Sequence, residues 1–569
     1  MRLPVGISDF KDLIEGEYLF ADKTLFIKDV MEDGAKVLLI TRPRRFGKTL
    51  NLSMLYYFLS KNHGDEKNLF EGLNISKDEE FCKKHQQQYP AIFISFKNIK
   101  EDNYEKAYNR ITELIRQLYE GHRYLLEGDI LSESEKAMFM DLIHERANEA
   151  KVKGALQQLA IWIGRKFNQP PLILIDEYDT PIQEAYLREN HQGRQGYYQN
   201  MMDLMRGILG DALKDNRPNE KIVSKAILTG ITRIAQESLF SGMNNLAVYT
   251  LLREKFGQYF GFTEEEVSKL LAESKQQVSI TSIKEWYNGY QIGKYVLYNP
   301  WSIISCLDHD GQLKPYWVHT ASNELISELL KDARPEVKQQ FEELLQGNVI
   351  DRPLSENLVF LDIKTSEAAL WSLLLYAGYL KILSCELQGY QLMARIAIPN
   401  KEVGFVYDQV VAGWFTHALG FDSYLDFVRS LVNGDMDKFK ACLSNYIMQT
   451  GSYFDFHKNT HEQIFHIFVL GLVVGLRDRY YIHSNKETGL GRCDVLFVPK
   501  NKKDRGILLE FKTSKTVELL LDKAQEALEQ IKNNRYIETL KQHNIDSVLA
   551  IGLAFWSKEV ELVHETISI

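Results

Sequence analysis

Short apolar runs alternate with helical patterns between Lys36 and about Gly230: Val37-Leu38-Leu39-Ile40, Ile92-Phe93-Ile94-Ser95-Phe96, Leu172-Ile173-Leu174-Ile175 and Ile222 to Leu228. Runs this short and uniformly apolar suit strands buried on both faces, so the pattern predicts a parallel sheet with crossover helices. Between about 261 and 400 the chain turns to helical segments rich in Leu and Tyr, among them Leu370-Trp371-Ser372-Leu373-Leu374-Leu375-Tyr376, with short strand candidates near Tyr295 and Gln391. This stretch reads as a helical lid or winged-helix-like segment. From about 401, helices lead to a strand pair, Cys493 to Val498 and Ile507 to Phe511. An amphipathic helix carrying Leu520, Ala524, Ala527, Leu528 and Ile531 follows. The expected organisation is α/β and multidomain, divided into 1–260, 261–400 and 401–569.

Composition changes this picture little. At 569 residues the chain exceeds what one hydrophobic core normally serves. With 45% apolar and 25% charged residues it has ordinary globular composition and little room for disorder. The net charge of -9 argues against a uniformly basic coat and leaves a local basic groove open. The 5 cysteines, Cys82, Cys306, Cys385, Cys442 and Cys493, are scattered, odd in number and free of any C-x-x-C pair. They suggest neither a disulfide framework nor a zinc knuckle, and a reducing cytoplasm is the expected location. Met1 to Phe10 lacks the apolar core of a signal peptide, and the longest apolar run, Ile467 to Leu476, is too short to span a bilayer. No membrane role is expected.

The strand Val37 to Ile40 runs into Thr41-Arg42-Pro43-Arg44-Arg45-Phe46-Gly47-Lys48-Thr49 and then a helical pattern from Leu50. Strand, loop and helix in this order form a phosphate-binding P-loop, or Walker A element, in which backbone N–H groups cradle phosphates. Lys48 would neutralise β/γ charge, Thr49 would hold Mg²⁺, and Arg45, Phe46 and Gly47 would line the loop. The pattern departs from G-x-x-x-x-G-K-[ST] at Arg42, and Pro43 removes one N–H donor. A surface turn beside a solvated arginine patch is the plain alternative for this segment taken alone.

The second half weighs against that alternative. Leu172-Ile173-Leu174-Ile175-Asp176-Glu177 has the form of a Walker B strand, with Asp176 on Mg²⁺ and Glu177 as the general base that polarises the attacking water. Asp179 can support the cluster. The strand ending at Leu228 continues into Thr229-Gly230-Ile231-Thr232-Arg233, which makes Thr229 and Thr232 sensor candidates and Arg233 a charge stabiliser, with an ordinary helix cap as the alternative.

These segments resemble the bacterial AAA-ATPase-like family, as do Asp22-Lys23-Thr24, Trp286-Tyr287-Asn288-Gly289-Tyr290 and Tyr298-Asn299-Pro300. The resemblance implies a P-loop NTPase sheet akin to AAA+ and STAND-type ATPases, with Arg usual at the first loop position, ATP as ligand, and often a PD-(D/E)XK domain behind the ATPase.

That second domain has its own residues. Asp494 lies on the first strand of the C-terminal pair, and Glu510 and Lys512 lie two apart on the second, so they share a face and Asp494 can join them. This D…E-x-K arrangement would place Asp494 and Glu510 on a metal ion, Mg²⁺ or Mn²⁺, and Lys512 on water or phosphate. A cross-strand salt pair is the plain alternative. The whole resembles a PD-(D/E)XK nuclease of restriction-endonuclease-like α/β fold. By that resemblance Glu462, at the start of an apolar helix, is a third metal ligand, and Gln530 and Tyr536 are supporting residues. His461-Glu462-Gln463-Ile464-Phe465-His466 is not a zinc protease motif, since H-E-x-x-H needs histidine where Phe465 stands. Lys500, Lys502, Lys503, Arg505, Lys515, Lys523, Lys532 and Arg535 make this end locally basic.

The expected function is ATP binding and hydrolysis that controls a metal-dependent nuclease acting on DNA. The alternative is a non-catalytic STAND-like switch whose nuclease fold only binds nucleic acid or protein. Homo-oligomerisation is left open.

Overall fold

The computed structural model describes residues 2–568 except 62, 63, 65, 193–195, 215–220, 235–238, 241, 242, 275, 318–326, 328, 331, 332, 358, 359, 364, 451–459, 489, 490, 502, 534–539 and 541–544. It describes the backbone alone for 190–192, 417–419, 421, 449, 450, 460–467, 484–488 and 491–493. The chain divides into two compact units, Met1–His319 with Asp351–Glu402, and Thr320–Ile350 with Val403–Ile569.

In the first unit β1 (Val37–Thr41), β2 (Ala91–Ser95), β3 (Leu172–Asp176), β4 (Lys225–Gly230) and β5 (Leu246–Tyr249) form one sheet in the order β2-β3-β4-β1-β5. Every neighbouring pair is parallel. All residues of β1, β3 and β4 are buried, as the apolar runs within them require of a sheet covered on both faces. Because β4 sits between β3 and β1, Thr41 pairs with Gly230, Ile40 with Thr229 and Ile175 with Leu228, while Ser95 pairs with Asp176. The carboxyl ends of four strands therefore meet at one edge, where open α/β sheets bind ligands. The sequence pattern misses β5, a 4-residue edge strand whose first two residues are only half-buried.

The remainder of this unit is less helical than its pattern predicts. Helices Glu264–Ser274, Ile280–Tyr287 and Pro300–Asp308 share a core of Val267, Ile283, Tyr287, Tyr298 and Ile303. The hairpin β6 (Tyr290–Ile292) and β7 (Tyr295–Leu297) lies between the last two of them. A further sheet has the order β8-β10-β9, from β8 (Ile350–Leu354), β9 (Lys381–Gln388) and β10 (Gln391–Ala397). By compactness, most of 261–400 belongs with the first sheet.

The second unit carries helices Pro335–Leu345, Lys401–Leu419, Phe421–Asn433, Met436–Thr450 and Thr460–Leu476, then a five-stranded mixed sheet. Its strands β11 (Tyr480–Thr488), β12 (Gly491–Pro499), β13 (Gly506–Thr513), β14 (Ser547–Trp556) and β15 (Glu559–Ser568) lie in chain order. Only β13 and β14 run parallel among them. A parallel pair needs a crossover, which helix Leu520–Asn533 begins. Its apolar stripe, Leu520, Ala524, Ala527, Leu528 and Ile531, is buried, and Leu528 and Ile531 join Leu496, Leu508 and Val548 in the core. Among the described residues no helix is long and apolar enough to cross a membrane.

Candidate functional site

At the sheet edge of the first unit the loop after β1 closes tightly. Gly47, in the left-handed region at φ +77°, turns the chain into helix Lys48–Leu59. Lys48 is buried, and its Nζ donates to the carbonyl oxygens of Arg42 at 3.1 Å and Pro43 at 3.0 Å. Burial pushes this ammonium below the usual lysine range, against the opposing pull of Glu177, Asp176 and Asp179. Arg42 is fully buried. Its Nη1 donates to the carbonyls of Thr41 at 2.7 Å and Tyr249 at 2.8 Å, and desolvation lowers its pKa to about 9.

Asp176, at the end of β3, is held on both oxygens. Thr229 Oγ1 donates to Oδ1 at 2.8 Å, while Thr49 Oγ1 at 2.8 Å and Ser95 Oγ at 3.3 Å donate to Oδ2. Burial raises its pKa, with neighbouring Glu177 adding to the effect and the two threonines opposing it. Glu177 stands in the left-handed region at φ 49° and accepts from Thr180 Oγ1 at 3.1 Å. Asp179 Oδ2 accepts from the backbone N–H groups of Ile231 and Thr232, both at 2.9 Å, and Tyr178 donates to the Thr232 carbonyl at 2.7 Å. These two residues tie the loop after β4 to the loop after β3. Arg233 Nη1 lies 3.6 Å from the Glu356 carboxylate. Thus Lys48, Thr49, Asp176 and Thr229 come together, whereas Arg233 faces a carboxylate of the 351–402 segment.

Two other motifs hold elements in place. Asp22 Oδ1 accepts from Thr24, and Lys23 Nζ donates to Glu266 at 2.6 Å and to the Gln258 carbonyl at 2.8 Å. Asn299 caps helix Pro300–Asp308 by accepting from Trp301 N at 3.0 Å.

In the second unit the β12–β13 ladder ends at Val495 with Leu509, and just beyond it carboxylates take over the backbone donors. Phe511 N donates to Asp494 Oδ2 at 2.8 Å, and Asp494 N donates to Glu510 Oε2 at 3.4 Å. Lys512 Nζ lies 3.9 Å from Glu510 Oε1. Gln530, on helix Leu520–Asn533, donates to Glu510 and accepts from Lys512, linking the two. That helix approaches closely because Gly552, paired with Glu510 on β14, has no side chain; a Cβ there would stand 2.2 Å from the Ala524 carbonyl oxygen. Burial, then the charge of Asp494, lifts the Glu510 pKa to about 8, with Lys512 opposing, and burial also raises Asp494.

Helix Thr460–Leu476 contains Glu462, but the Glu462 side chain lies outside the described residues, as does Tyr536. Among the described residues no three His, Cys, Asp or Glu side chains gather closely enough to hold a metal ion. Hard oxygen donors are nonetheless paired at both places, Thr49 with Asp176 and Asp494 with Glu510.

Sequence reasoning missed Ser95 at the end of β2, Glu356 opposite Arg233, and Gly552. Ser95 falls inside the predicted run Ile92 to Phe96, but its partner Asp176 is set by the order of strands in the sheet. Glu356 and Gly552 carry no local signal, because their partners are distant in sequence.

A protein of Azotobacter chroococcum mcd 1, described as an uncharacterized protein in the vnfD 5' region, is 27% identical over 403 residues, covering 71% of this chain and 68% of that protein. Residues 4–240 match the family model described as predicted AAA-ATPase and residues 460–565 that of the PD-(D/E)XK nuclease superfamily, so the chain carries an AAA-ATPase-like domain followed by a PD-(D/E)XK nuclease superfamily domain.

Proposed function

We propose that residues 1–260 bind and hydrolyse ATP, that the lid or winged-helix-like segment 261–400 responds to the nucleotide, and that residues 401–569 form a nuclease that cleaves DNA under this control. The observation that carries the reading is the meeting of Asp494, Glu510 and Lys512, with Gln530 between the last two. Burial raises the pKa of both carboxylates, and the charge of Asp494 adds to the rise at Glu510. A divalent cation, Mg²⁺ or Mn²⁺, suits this oxygen pair. When bound it supplies a Lewis acid for the phosphate and an acidified water. Asp494 and Glu510 would hold it, with Glu462 as the third ligand by family resemblance. Lys512 would orient the attacking water and offset phosphate charge, and Gln530 would fix the direction of the lysine ammonium.

In the N-terminal site Thr49 and Asp176 would supply the hydroxyl and carboxylate for Mg²⁺ delivered with ATP. Lys48 exchanges its two loop carbonyls for β/γ-phosphate oxygens. Glu177 takes the proton of the attacking water, Thr229 holds Asp176 in place, and Arg233 reaches the γ-phosphate when it leaves Glu356.

The test is cleavage of labelled plasmid and single-stranded DNA with Mg²⁺ or Mn²⁺. The reading requires metal-dependent cleavage that disappears in Lys512→Ala. Absence of cleavage under every condition, with ATP bound normally, would replace it with a nucleotide-controlled binding switch.

A further inference from the structure

The Trp286-Tyr287-Asn288-Gly289-Tyr290 and Tyr298-Asn299-Pro300 segments have no part in the chemistry above, yet their neighbours press on the phosphate-binding loop. The Arg45 guanidinium carbon lies 3.7 Å from the centroid of the Trp301 ring. The indole is fixed in turn, since Trp301 Nε1 donates to the Tyr316 carbonyl at 3.2 Å and its backbone N–H is capped by Asn299. Phe46 is buried and meets Tyr290 edge to face, with ring centroids 4.9 Å apart. Gly289, at φ +101°, lets the chain turn into Tyr290 against the Pro399 carbonyl, which a Cβ would meet at 2.4 Å. Pro43 packs on Gly378, also in the left-handed region, where a Cβ would stand 2.9 Å from the proline Cβ.

These contacts answer a deficiency of the loop. It has Arg42 where a glycine would ordinarily allow free folding round a phosphate, Pro43 offers no N–H, and Arg45 takes a left-handed conformation, φ 66°, that side chains disfavour. Such strain persists only where surrounding structure holds it. A guanidinium lying over an indole face is a contact of that kind, and it fixes the direction of the arginine as well as its backbone.

We propose that Trp301, together with Tyr290 and Gly378, is a positioning residue of the phosphate-binding loop: it holds Arg45 in the conformation that contacts nucleotide phosphate. The 286–301 and 375–382 segments thereby supply from outside the shape that glycine supplies in an ordinary loop. The inference rests on the assignment of residues 42–49 to phosphate binding.

The experiment is equilibrium titration of the full-length chain with a fluorescent ATP analogue and with AMP as competitor, both in Mg²⁺, alongside thermal unfolding. Trp301→Leu keeps apolar bulk and loses the π face, whereas Trp301→Phe keeps a face. Trp301→Leu weakens ATP binding about tenfold, AMP binding much less, and Trp301→Phe retains most of the affinity. Arg45→Ala loses as much as Trp301→Leu, and the double variant loses no more than either. Normal ATP affinity in Trp301→Leu, or losses that multiply in the double variant, overturns the proposal while Lys48→Ala still abolishes binding. If Lys48→Ala itself binds ATP normally, the phosphate assignment falls and this inference falls with it.

Discussion

Asp176 is buried with three hydroxyl donors around its carboxylate, so each donor has a measurable share in keeping that charge inside the protein. Thr229→Val keeps the shape and removes the donor at Oδ1. A loss of about 1–3 kcal/mol in unfolding free energy by urea titration is expected, since a buried acceptor is left unsatisfied; unchanged stability would mean the carboxylate finds another partner. Glu402 offers a pH test away from either site. Its carboxylate is fully buried, accepts from Ser302 Oγ at 2.7 Å and Trp317 N at 2.9 Å, and burial raises its pKa from 4.5 to about 7. The raised value means the folded chain holds a proton that the unfolded chain gives up. The resulting stability is full below about pH 4.5, declines through the interval and is lost above about pH 7. Its size is about 3 kcal/mol. Thermal melts of Glu402→Gln should lack this share of the pH dependence; parallel pH profiles for parent and variant would contradict it. At this scale sequence spacing gives which side chains share a strand face, as for Glu510 and Lys512, but not a partner such as Ser95, which depends on the order of strands in the sheet.

At the scale of elements, the helix Leu520–Asn533 lies on β14 through Gly552, and this approach is what brings Gln530 to Glu510 and Lys512. Gly552→Ala would push its Cβ into the helix backbone, at 2.2 Å from the Ala524 oxygen and 2.5 Å from the Leu528 nitrogen. A stability loss of about 1–3 kcal/mol is expected, accompanied by reduced cleavage, because overpacked backbone must shift and carry Gln530 with it. A fully stable, fully active variant would show that the helix has room to move. Element legibility followed burial. The uniformly apolar β1 and β3 and the amphipathic stripe of Leu520–Asn533 were readable. In β9, Ser384 to Gln388 are all exposed, so no inward and outward alternation marks it as a strand. The position of β4 between β3 and β1 is likewise a tertiary fact, although it decides where Thr229 stands.

At the scale of the whole molecule, the proposed function gives a single chain one nucleotide-handling centre and one cutting centre. The residues proposed for each were legible as candidates because each set lies in a local motif, at 42–49, 174–179 and 494–512. The role of the 261–400 segment was not, since its packing on Pro43, Arg45 and Phe46 joins residues more than two hundred positions apart. Coupling implies that the two centres are separable by mutation: Lys512→Ala should bind ATP with parental affinity while losing cleavage, and impaired ATP binding in that variant would argue against separate sites. The most direct test of the central claim is the rate at which the full-length protein cleaves labelled plasmid with Mn²⁺, with and without ATP, in the parent and in Lys48→Ala. Under nucleotide control, cleavage changes with ATP in the parent and is insensitive to ATP in Lys48→Ala. Equal cleavage by both proteins, with or without ATP, would contradict nucleotide control of the nuclease.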